Sequence, residues 1–133
     1  MKILFLCTGN ACRSQMAEGF AREYWPKAEI HSAGIVAHGV DERAIKVMAE
    51  YKVDISGQIS NVVNAEILKE IDLLVSVCGH ADKNCPVVPA NCKRLHWPLQ
   101  DPAQIRGCDE EVLESFRRIR DEIQAYVLGM GLQ

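Results

Sequence analysis

The chain has 133 residues, a formal net charge of −3, and 48% hydrophobic and 25% charged residues. This length fits one domain, so we expect residues 1–133 to form a single domain with its own core. The mild acidity argues against nucleic-acid or membrane-surface partners, because no basic excess exists to neutralise phosphates. No apolar run approaches the roughly 18 residues that a membrane-spanning helix needs.

Six cysteines are the unusual feature of this composition. The apolar run at residues 3–6 is too short for the core of a signal peptide, so we expect a cytoplasmic protein, in which thiols stay reduced. The cysteines are then metal ligands, catalytic or redox thiols, or small buried hydrophobic residues. They are Cys7, Cys12, Cys78, Cys85, Cys92 and Cys108.

Apolar runs and helical spacings alternate along the chain. Strands are predicted at residues 2–6, 30–32, 73–77 and 94–99. Helices are predicted from Ser14 to just before Pro26, from the capping Asp41 through Tyr51, and over residues 60–70 and 109–127. This alternation predicts an α/β fold with a parallel sheet and helices on both of its faces.

The strongest motif is Cys-Thr-Gly-Asn-Ala-Cys-Arg-Ser at residues 7–14, here called the anion loop. A loop of this length at a helix N-terminus directs several backbone N–H groups into one concavity, which binds a tetrahedral oxyanion. The guanidinium of Arg13 matches two oxyanion oxygens. The predicted oxyanion-binding residues are Thr8, Gly9, Asn10, Ala11, Cys12 and Arg13. The alternative is an ordinary strand-to-helix turn with two buried cysteines.

Cys7 is the predicted nucleophile, because the positive field of the loop favours its thiolate form. Ser14 can donate a hydroxyl hydrogen bond to that thiolate. Asp101 follows the fourth predicted strand and can protonate the oxygen that leaves the attacked oxyanion, although an aspartate before proline is also common in turns. Because parallel strands end at one edge of the sheet, Cys7, Cys78 and Asp101 are expected to converge.

These residues resemble the low-molecular-weight tyrosine phosphatase fold family and, within it, the thioredoxin-coupled arsenate reductases. The resemblance covers nearly the whole chain and implies a three-layer, four-stranded parallel sheet in the order 2-1-3-4. It rests on residues 7–19, Ser32-Ala33-Gly34, His38-Gly39, Cys78, Cys85-Pro86 and Asp101-Pro102. The chain departs from the phosphatases at Gln15, where they usually carry proline, and at Ala103, where they usually carry tyrosine.

The resemblance implies arsenate reduction, for arsenic detoxification, by a relay of three cysteines. Cys7 attacks arsenate while Asp101 protonates the leaving oxygen, Cys78 then attacks Cys7 and arsenite departs, and Cys85 resolves the disulfide. Thioredoxin is the implied electron donor, phosphate and sulfate are competing anions, and no cofactor is expected. Residues 78–88 must loop or refold for two cysteines seven positions apart to meet, so we predict high mobility there. No exposed apolar helix stripe is predicted, so we expect a monomer.

Two other functions remain open. A phosphatase of the same fold would hydrolyse aryl phosphates with Cys7, Arg13 and Asp101 alone. A zinc- or arsenic-binding regulatory module would use Cys78, His80 and Cys85 with Cys92 or His96, although this spacing matches no common zinc site, and no metal is expected.

The remaining cysteines have smaller expected roles. Cys12 is interpreted as a packed small residue, and the alternative is an off-pathway disulfide partner of Cys7. Cys92 and Cys108 belong to no motif and are interpreted as incidental.

Some members of the resembled family bind potassium near the anion loop. Asn10, Glu18 and Ser32 match that site, whereas Ile59 and Asn61 replace two of its oxygen-bearing residues. We therefore expect potassium to be weakly held or absent.

Overall fold

The computed structural model describes residues 1–78 and 91–131, in which four strands form one parallel sheet in the order β2-β1-β3-β4. The strands are β1 (Lys2–Cys7), β2 (Glu29–Gly34), β3 (Leu73–Ser76) and β4 (Lys93–His96). β1 is central and buried over all but its first residue, as expected for an unbroken apolar run. The predicted α/β fold and its strand order are confirmed.

Helices connect and flank the strands. They are α1 (Arg13–Tyr24), α2 (Glu42–Ala49), α3 (Ala65–Glu70) and α4 (Asp109–Leu128), and a 3₁₀ turn covers Pro102–Gln104. α4 packs against both α1 and α2, and its buried apolar stripe includes Phe116, Ile119 and Ile123. Within the part of the chain that the structure describes, no helix combines the length and apolar character needed to cross a bilayer.

Several predicted boundaries were wrong. The third helix begins at Ala65, where the side chain of Asn64 accepts a 2.9 Å hydrogen bond from the backbone N–H of Ile67, and not at residue 60. α2 ends at Ala49, so Tyr51 lies outside it, in a turn where Lys52 has a φ of 60°.

The last predicted strand was also too long. β4 ends at His96 and not at residue 99, and the loop predicted at Asp101 is one 3₁₀ turn. The predicted mobility of residues 78–88 falls outside the described residues, Cys78 excepted.

The sheet register brings the ends of β1 and β3 together. Leu6 pairs with Ser76, and the backbone N–H of Val77 donates to the carbonyl of Leu6 at 2.9 Å. Cys7, the last residue of β1, and Cys78, two residues after β3, therefore lie at the same carboxyl edge of the sheet.

Candidate active site

The anion loop turns its carbonyl groups away from the cleft. The carbonyls of Thr8, Gly9 and Ala11 accept hydrogen bonds of 2.9 to 3.0 Å from backbone N–H groups of residues 36–41. In a planar trans peptide the C=O and the following N–H point in opposite directions. The N–H groups that follow these carbonyls consequently face the cleft, which is the arrangement that binds an oxyanion.

The thiol of Cys7 lies at the base of this cradle. Only 3% of the residue is exposed. Its Sγ accepts the backbone N–H of Asn10 at 3.1 Å and lies 2.8 Å from the hydroxyl oxygen of Ser14. Both groups can donate to a thiolate, which is the nucleophilic form of cysteine.

The side chain of Asn10 stabilises the conformation of the anion loop. It is fully buried and has a φ of 49°, a left-handed conformation that asparagine tolerates better than most residues. Its Nδ2 donates to the hydroxyl oxygens of Ser14 at 2.8 Å and Ser32 at 3.0 Å. Its Oδ1 accepts the backbone N–H of Asn61 at 2.7 Å. One side chain thus ties the loop to β2 and to the segment before α3.

Further support for the loop was missed by the sequence analysis. The carbonyl of Asn10 accepts hydrogen bonds from Gln15 Nε2 at 3.1 Å and from the hydroxyl of Ser60 at 2.9 Å. A Cβ at Gly34 would lie 2.7 Å from the carbonyl oxygen of Thr8 and 2.8 Å from the nitrogen of Asn10, so only glycine fits there. Gln15 had a sequence signal, its departure from proline, whereas Ser60 had been assigned to a helix.

Arg13 places a positive charge on the wall of the cleft. Its side chain is 11% exposed, and Nη1 donates to the carbonyl of Leu99 at 3.0 Å and, at 3.5 Å, to that of Val77. Its Nη2 lies 3.6 Å from Oδ2 of Asp101. The guanidinium is therefore held in place while its charge still faces the cleft.

Asp101 caps the 3₁₀ turn, and we call residues 101–104 the acid turn. Oδ1 of Asp101 accepts the backbone N–H of Ala103 at 3.0 Å. The side chain is 30% exposed, so it can exchange a proton with solvent. Ala103, which follows Pro102, also lines the cleft but offers no aromatic surface.

Cys78 brings a second thiol to the same cleft. The residue is 5% exposed, and its Sγ lies 3.2 Å from the hydroxyl oxygen of Thr8. The cleft has a volume of about 660 Å³, ample for a tetrahedral oxyanion. Of the residues predicted for the site, those lining it are Cys7, Thr8, Gly9, Ala11, Cys12, Arg13, Cys78 and Asp101. Asn10 and Ser14 lie buried beside them, and Cys85 lies outside the described residues.

The sequence that forms this cleft matches that of a known protein family. The sequence profile of the family described as low molecular weight phosphotyrosine protein phosphatase matches residues 2–130. The chain belongs to this family. An arsenate reductase of Halalkalibacterium halodurans is 52% identical over 122 residues, which cover 91% of this chain and 88% of that protein.

Solved structures show the same relationship. An arsenate reductase in the phosphate-binding state is 34% identical, with a TM-score of 0.77 over 97% of this chain and 95% of that one. A low molecular weight protein tyrosine phosphatase from T. tengcongensis is 26% identical, with a TM-score of 0.81 over 96% and 95%. The resemblance predicted from the motifs is confirmed.

Cys12 is a third thiol among the residues that line the cleft. It is 6% exposed and lines the cleft together with Asp41. Burial, followed by the negative charges of Asp41 and Asp101, raises the pKa of Cys12 far above its usual range. The sequence predicts Asp41 only as a helix cap, and the structure adds a hydrogen bond of 3.0 Å from its backbone N–H to the carbonyl of Ala11 in the anion loop.

Cys92 and Cys108 lie apart from the cleft. Cys92 is partly buried, its thiol 3.4 Å from the carbonyl oxygen of Lys93. Cys108 is exposed, its thiol 3.2 Å from a carboxylate oxygen of Glu111. Neither residue lines the cleft formed by the described part of the chain.

The side chains that match the family's cation site already form hydrogen bonds within the protein. Ser32 donates to Oε1 of the buried Glu18 at 2.5 Å, and Arg22 donates to its Oε2 at 2.9 Å. The charge that would attract a cation is therefore already balanced by a guanidinium. Ile59, which is 71% exposed, supplies no side-chain oxygen. This donor set does not fit a potassium ion.

The zinc hypothesis receives no support from the described residues. Over residues 1–78 and 91–131, no three His, Cys, Asp or Glu side chains form a group that could hold a metal ion. His80 and Cys85, two of its ligands, lie outside these ranges. His96 instead pairs with the hydroxyl of Ser76, at 2.8 Å from its Nδ1.

Proposed function

We propose that this protein reduces arsenate to arsenite through the thiols of Cys7, Cys78 and Cys85, and that thioredoxin regenerates it. The observation that carries the proposal is the second buried thiol, Cys78, in the cleft of Cys7. Ester hydrolysis through a cysteinyl intermediate needs one thiol, whereas reducing As(V) to As(III) needs two electrons, which two thiols supply by forming a disulfide. The arsenate reductase that is 52% identical supports the same activity.

The first step is attack of the Cys7 thiolate on arsenic. A sulfur–arsenic bond forms, and one arsenate oxygen leaves as water after Asp101 gives it a proton. The N–H groups of the anion loop and the guanidinium of Arg13 stabilise the remaining oxygens. The hydrogen bond from Ser14 keeps the Cys7 thiolate in place until attack.

The second step supplies the electrons. The Cys78 thiolate attacks the sulfur of Cys7, a Cys7–Cys78 disulfide forms, and the sulfur–arsenic bonding pair stays on arsenic, which leaves as arsenite. Cys85 then attacks Cys78, and Cys7 is released as a thiolate. The dithiol of thioredoxin finally reduces the Cys78–Cys85 disulfide. The part of Cys85 rests on the family resemblance.

Hydrolysis of aryl phosphates is the second candidate, because the same cleft would accept a phosphate. The wall of the cleft argues against it, since Ala103 provides no ring for an aryl group to pack against. Weak phosphatase activity is still expected, because phosphate and arsenate share shape and charge. Such activity would not distinguish the two functions.

The decisive experiment is coupled turnover of arsenate with thioredoxin, thioredoxin reductase and NADPH. We expect the wild-type protein to cycle and Cys85→Ser to release one arsenite per enzyme and then stop. Cys78→Ser is expected to release none. Cys92→Ser and Cys108→Ser are matched controls that remove a thiol outside the cleft and should cycle like the wild type.

Two results would contradict the proposal. Multiple turnovers by Cys85→Ser at the wild-type rate would exclude the three-cysteine relay. Absence of NADPH consumption by the wild type, with rapid hydrolysis of an aryl phosphate, would favour the phosphatase.

The same proposal includes the domain organisation, oligomeric state and location of the protein. We infer that residues 1–133 act as one domain, as a monomer, in the cytoplasm, where thioredoxin and a reducing thiol pool are available. Gel filtration of the reduced protein tests the monomer, which is expected to elute at the position of 14.8 kDa.

A further inference from the structure

Hydrogen bonds between side chains connect the thiol of Cys7 with a pair of charged residues on α1. Glu18 and Arg22 stand one helical turn apart, and neither lines the cleft formed by the described part of the chain. The hydrogen bonds that join Glu18 to the sulfur are 2.5 to 3.0 Å long. We call this series the hydrogen-bond chain, and in order from the cleft its members are Cys7, Ser14, Asn10, Ser32, Glu18 and Arg22.

The direction of the hydrogen bonds is set from the charged end of the chain. A carboxylate only accepts, so Ser32 donates its one hydroxyl hydrogen to Oε1 of Glu18 at 2.5 Å. The oxygen of Ser32 is then free to accept from Nδ2 of Asn10 at 3.0 Å. The amide of Asn10 is oriented in the same sense by its other end, because its Oδ1 accepts the backbone N–H of Asn61 at 2.7 Å.

The bond that ends on the sulfur takes its direction from the preceding ones. Nδ2 of Asn10 also donates to the hydroxyl oxygen of Ser14 at 2.8 Å, so Ser14 accepts there. Ser14 keeps its own hydrogen for Sγ of Cys7, 2.8 Å away. The backbone N–H of Asn10 donates to the same sulfur at 3.1 Å. A sulfur that accepts from two donors is favoured as the thiolate, which is the nucleophilic form.

Arg22 holds the charged end of the chain in place. Its Nε donates to Oε2 of Glu18 at 2.9 Å, and its Nη2 donates to the carbonyl of Ile30 on β2 at 2.7 Å. The side chain of Glu18 is only 7% exposed, and a buried carboxylate needs a positive partner. The side chain of Arg22 is 55% exposed, so its guanidinium stays partly hydrated while it balances the buried charge.

We propose that Glu18 and Arg22 are positioning residues that direct the hydroxyl of Ser14 onto Cys7 and so keep Cys7 nucleophilic from outside the cleft. The inference rests on Cys7 as the nucleophile of the proposed function and adds the residues that orient its donor. The guanidinium of Arg22 stands where a bound cation would otherwise have to balance Glu18, which explains why this donor set does not fit potassium.

Glu18→Gln tests the direction of the hydrogen bonds with little change in shape. Because Arg22 donates to one side of residue 18, the amide of glutamine would turn its oxygen to Arg22 and its NH₂ to Ser32. The bond to Ser32 would then be reversed, and its hydroxyl hydrogen would face the NH₂ group of Asn10, which is also a donor. Arg22→Gln instead removes the charge that balances Glu18 and leaves the carboxylate in place.

The measurement is the rate at which iodoacetamide alkylates Cys7 at neutral pH. The reagent is neutral, so its rate reports the thiolate and not the affinity of the loop for anions. We expect Glu18→Gln and Arg22→Gln to alkylate about threefold to tenfold more slowly than the wild type, the effect of weakening one hydrogen bond to a charged sulfur. Arg22→Lys retains a positive charge beside Glu18 and should restore most of the rate.

Peptide mapping assigns the alkylated thiol. Cleavage by trypsin after Lys2 and Arg13 leaves Cys7 and Cys12 in one peptide, residues 3–13, with no other cysteine. The fragment masses of this peptide show which of the two thiols carries the label. The rate for Cys7 is therefore obtained separately from that for Cys12.

Protection by phosphate separates positioning from general support of the loop. Phosphate bound in the anion loop should shield Cys7 from the reagent. The concentration that gives half protection should be unchanged in Arg22→Gln, because the backbone N–H groups and Arg13 that hold the anion are retained. A purely structural role of Arg22 would weaken protection and slow alkylation together.

A double-mutant cycle tests whether Arg22 acts through the hydrogen-bond chain. Ser32→Ala interrupts the chain between Glu18 and Asn10 and should slow alkylation of Cys7 by itself. Adding Arg22→Gln to Ser32→Ala should then slow it no further, since residues that act through one network are not additive.

Arg117→Gln is the matched control for Arg22→Gln. It removes another arginine that donates to a glutamate at 2.9 Å, Glu50, but this pair joins α4 to the residue after α2 and is not part of the hydrogen-bond chain. We expect this variant to alkylate Cys7 at the wild-type rate, even where its stability is lower.

Three results would overturn the proposal. They are wild-type alkylation rates in Arg22→Gln and Glu18→Gln, an undiminished effect of Arg22→Gln in the Ser32→Ala background, and a loss of phosphate protection that parallels the loss of rate. Failure of the proposed function looks different. A wild type that releases no arsenite, with slow alkylation of Cys7 in both variants, would refute arsenate reduction and leave this inference standing.

Discussion

The anion loop and the acid turn meet across one cleft but are built in opposite ways. The loop is held by the side chains of Ser14 and Ser32 and by the backbone N–H of Asn61, all bonded to the buried Asn10. The acid turn is one turn of 3₁₀ helix, capped by Asp101 and joined to the loop by an ion pair with Arg13 at 3.6 Å. The loop is a preformed cradle, whereas Asp101 is a partly exposed group that delivers a proton in the proposed mechanism.

Because of this difference, we expect substitutions in the two regions to have different effects on stability and activity. Changes beneath the loop should reduce stability and activity together, because the same hydrogen bonds serve both. Changes in the acid turn should affect the chemical step and leave unfolding almost unaltered, because few contacts depend on it.

The largest effect is expected for Asn10→Ala. It removes the side-chain hydrogen bonds to Ser14, Ser32 and Asn61 and places alanine at a φ of 49°. We expect the free energy of unfolding to fall by about 3–5 kcal/mol and kcat/KM for arsenate to fall by about 10²–10³. Chemical denaturation and steady-state kinetics measure the two effects.

Asn64→Ala is the matched control for Asn10→Ala. It removes the cap of α3, a residue that does not line the cleft, and should cost about 1 kcal/mol of stability without changing kcat/KM. Equal activity of Asn10→Ala and wild type would show that the loop does not need this support.

Asp101→Asn should separate chemistry from stability. The amide can still cap the 3₁₀ turn but cannot donate the proton, so kcat should fall by about 10²–10⁴. Inhibition by phosphate should be unchanged or tighter, because a negative charge has been removed from beside Arg13. If Asp101→Asn lowered the unfolding midpoint as much as Asn10→Ala does, the acid turn would contribute to stability as strongly as the anion loop, contrary to our expectation.

Thr8→Val probes the contact between the loop and the second thiol. It deletes the hydroxyl that lies 3.2 Å from Sγ of Cys78 and preserves the backbone N–H. We expect single-turnover arsenite release to slow about fivefold, the equivalent of one ordinary hydrogen bond. Phosphate inhibition should stay at its wild-type value, and Thr8→Ser should restore the rate. Slower release with weakened phosphate inhibition would place the effect in the loop and not in the thiol.

The smallest effect is expected on exchanging potassium for sodium. Arg22 already pairs with Glu18, so neither ion should change kcat/KM beyond experimental error. Arg22→Gln is the matched variant, because it removes the guanidinium and leaves the carboxylate. A several-fold stimulation of the wild type by potassium would contradict this description of the site.

Much of this fold can be predicted from the sequence, because short segments carry the signals for its strands and helices. The apolar run of β1 and the helical spacing that ends before Pro26 predict the elements on both sides of the anion loop. Cys7, Arg13 and Asp101 were predicted for the site because Cys7 ends a strand, Arg13 begins a helix and Asp101 follows the last predicted strand. The structure places all three in one cleft.

The wrong or incomplete predictions concern residues whose contacts are with partners distant in the sequence. Ser60 has the composition of a helix start, but its hydroxyl donates to the carbonyl of Asn10. Asp41 caps α2 as predicted, yet its backbone N–H also donates to the carbonyl of Ala11, a contact that depends on how the sheet places two helices. No local pattern encodes that placement, since it is set by tertiary packing.

The contacts of Asn10 also set an order of assembly. They span 22 residues to Ser32 and 51 residues to Asn61. Contacts this distant in sequence form late, because a long stretch of chain must be closed first. A nascent chain that ends before Ser60 carries every residue of the anion loop but lacks the contacts from Ser60 and Asn61. The support of the anion loop is therefore complete only when the segment before α3 has been synthesised and docked.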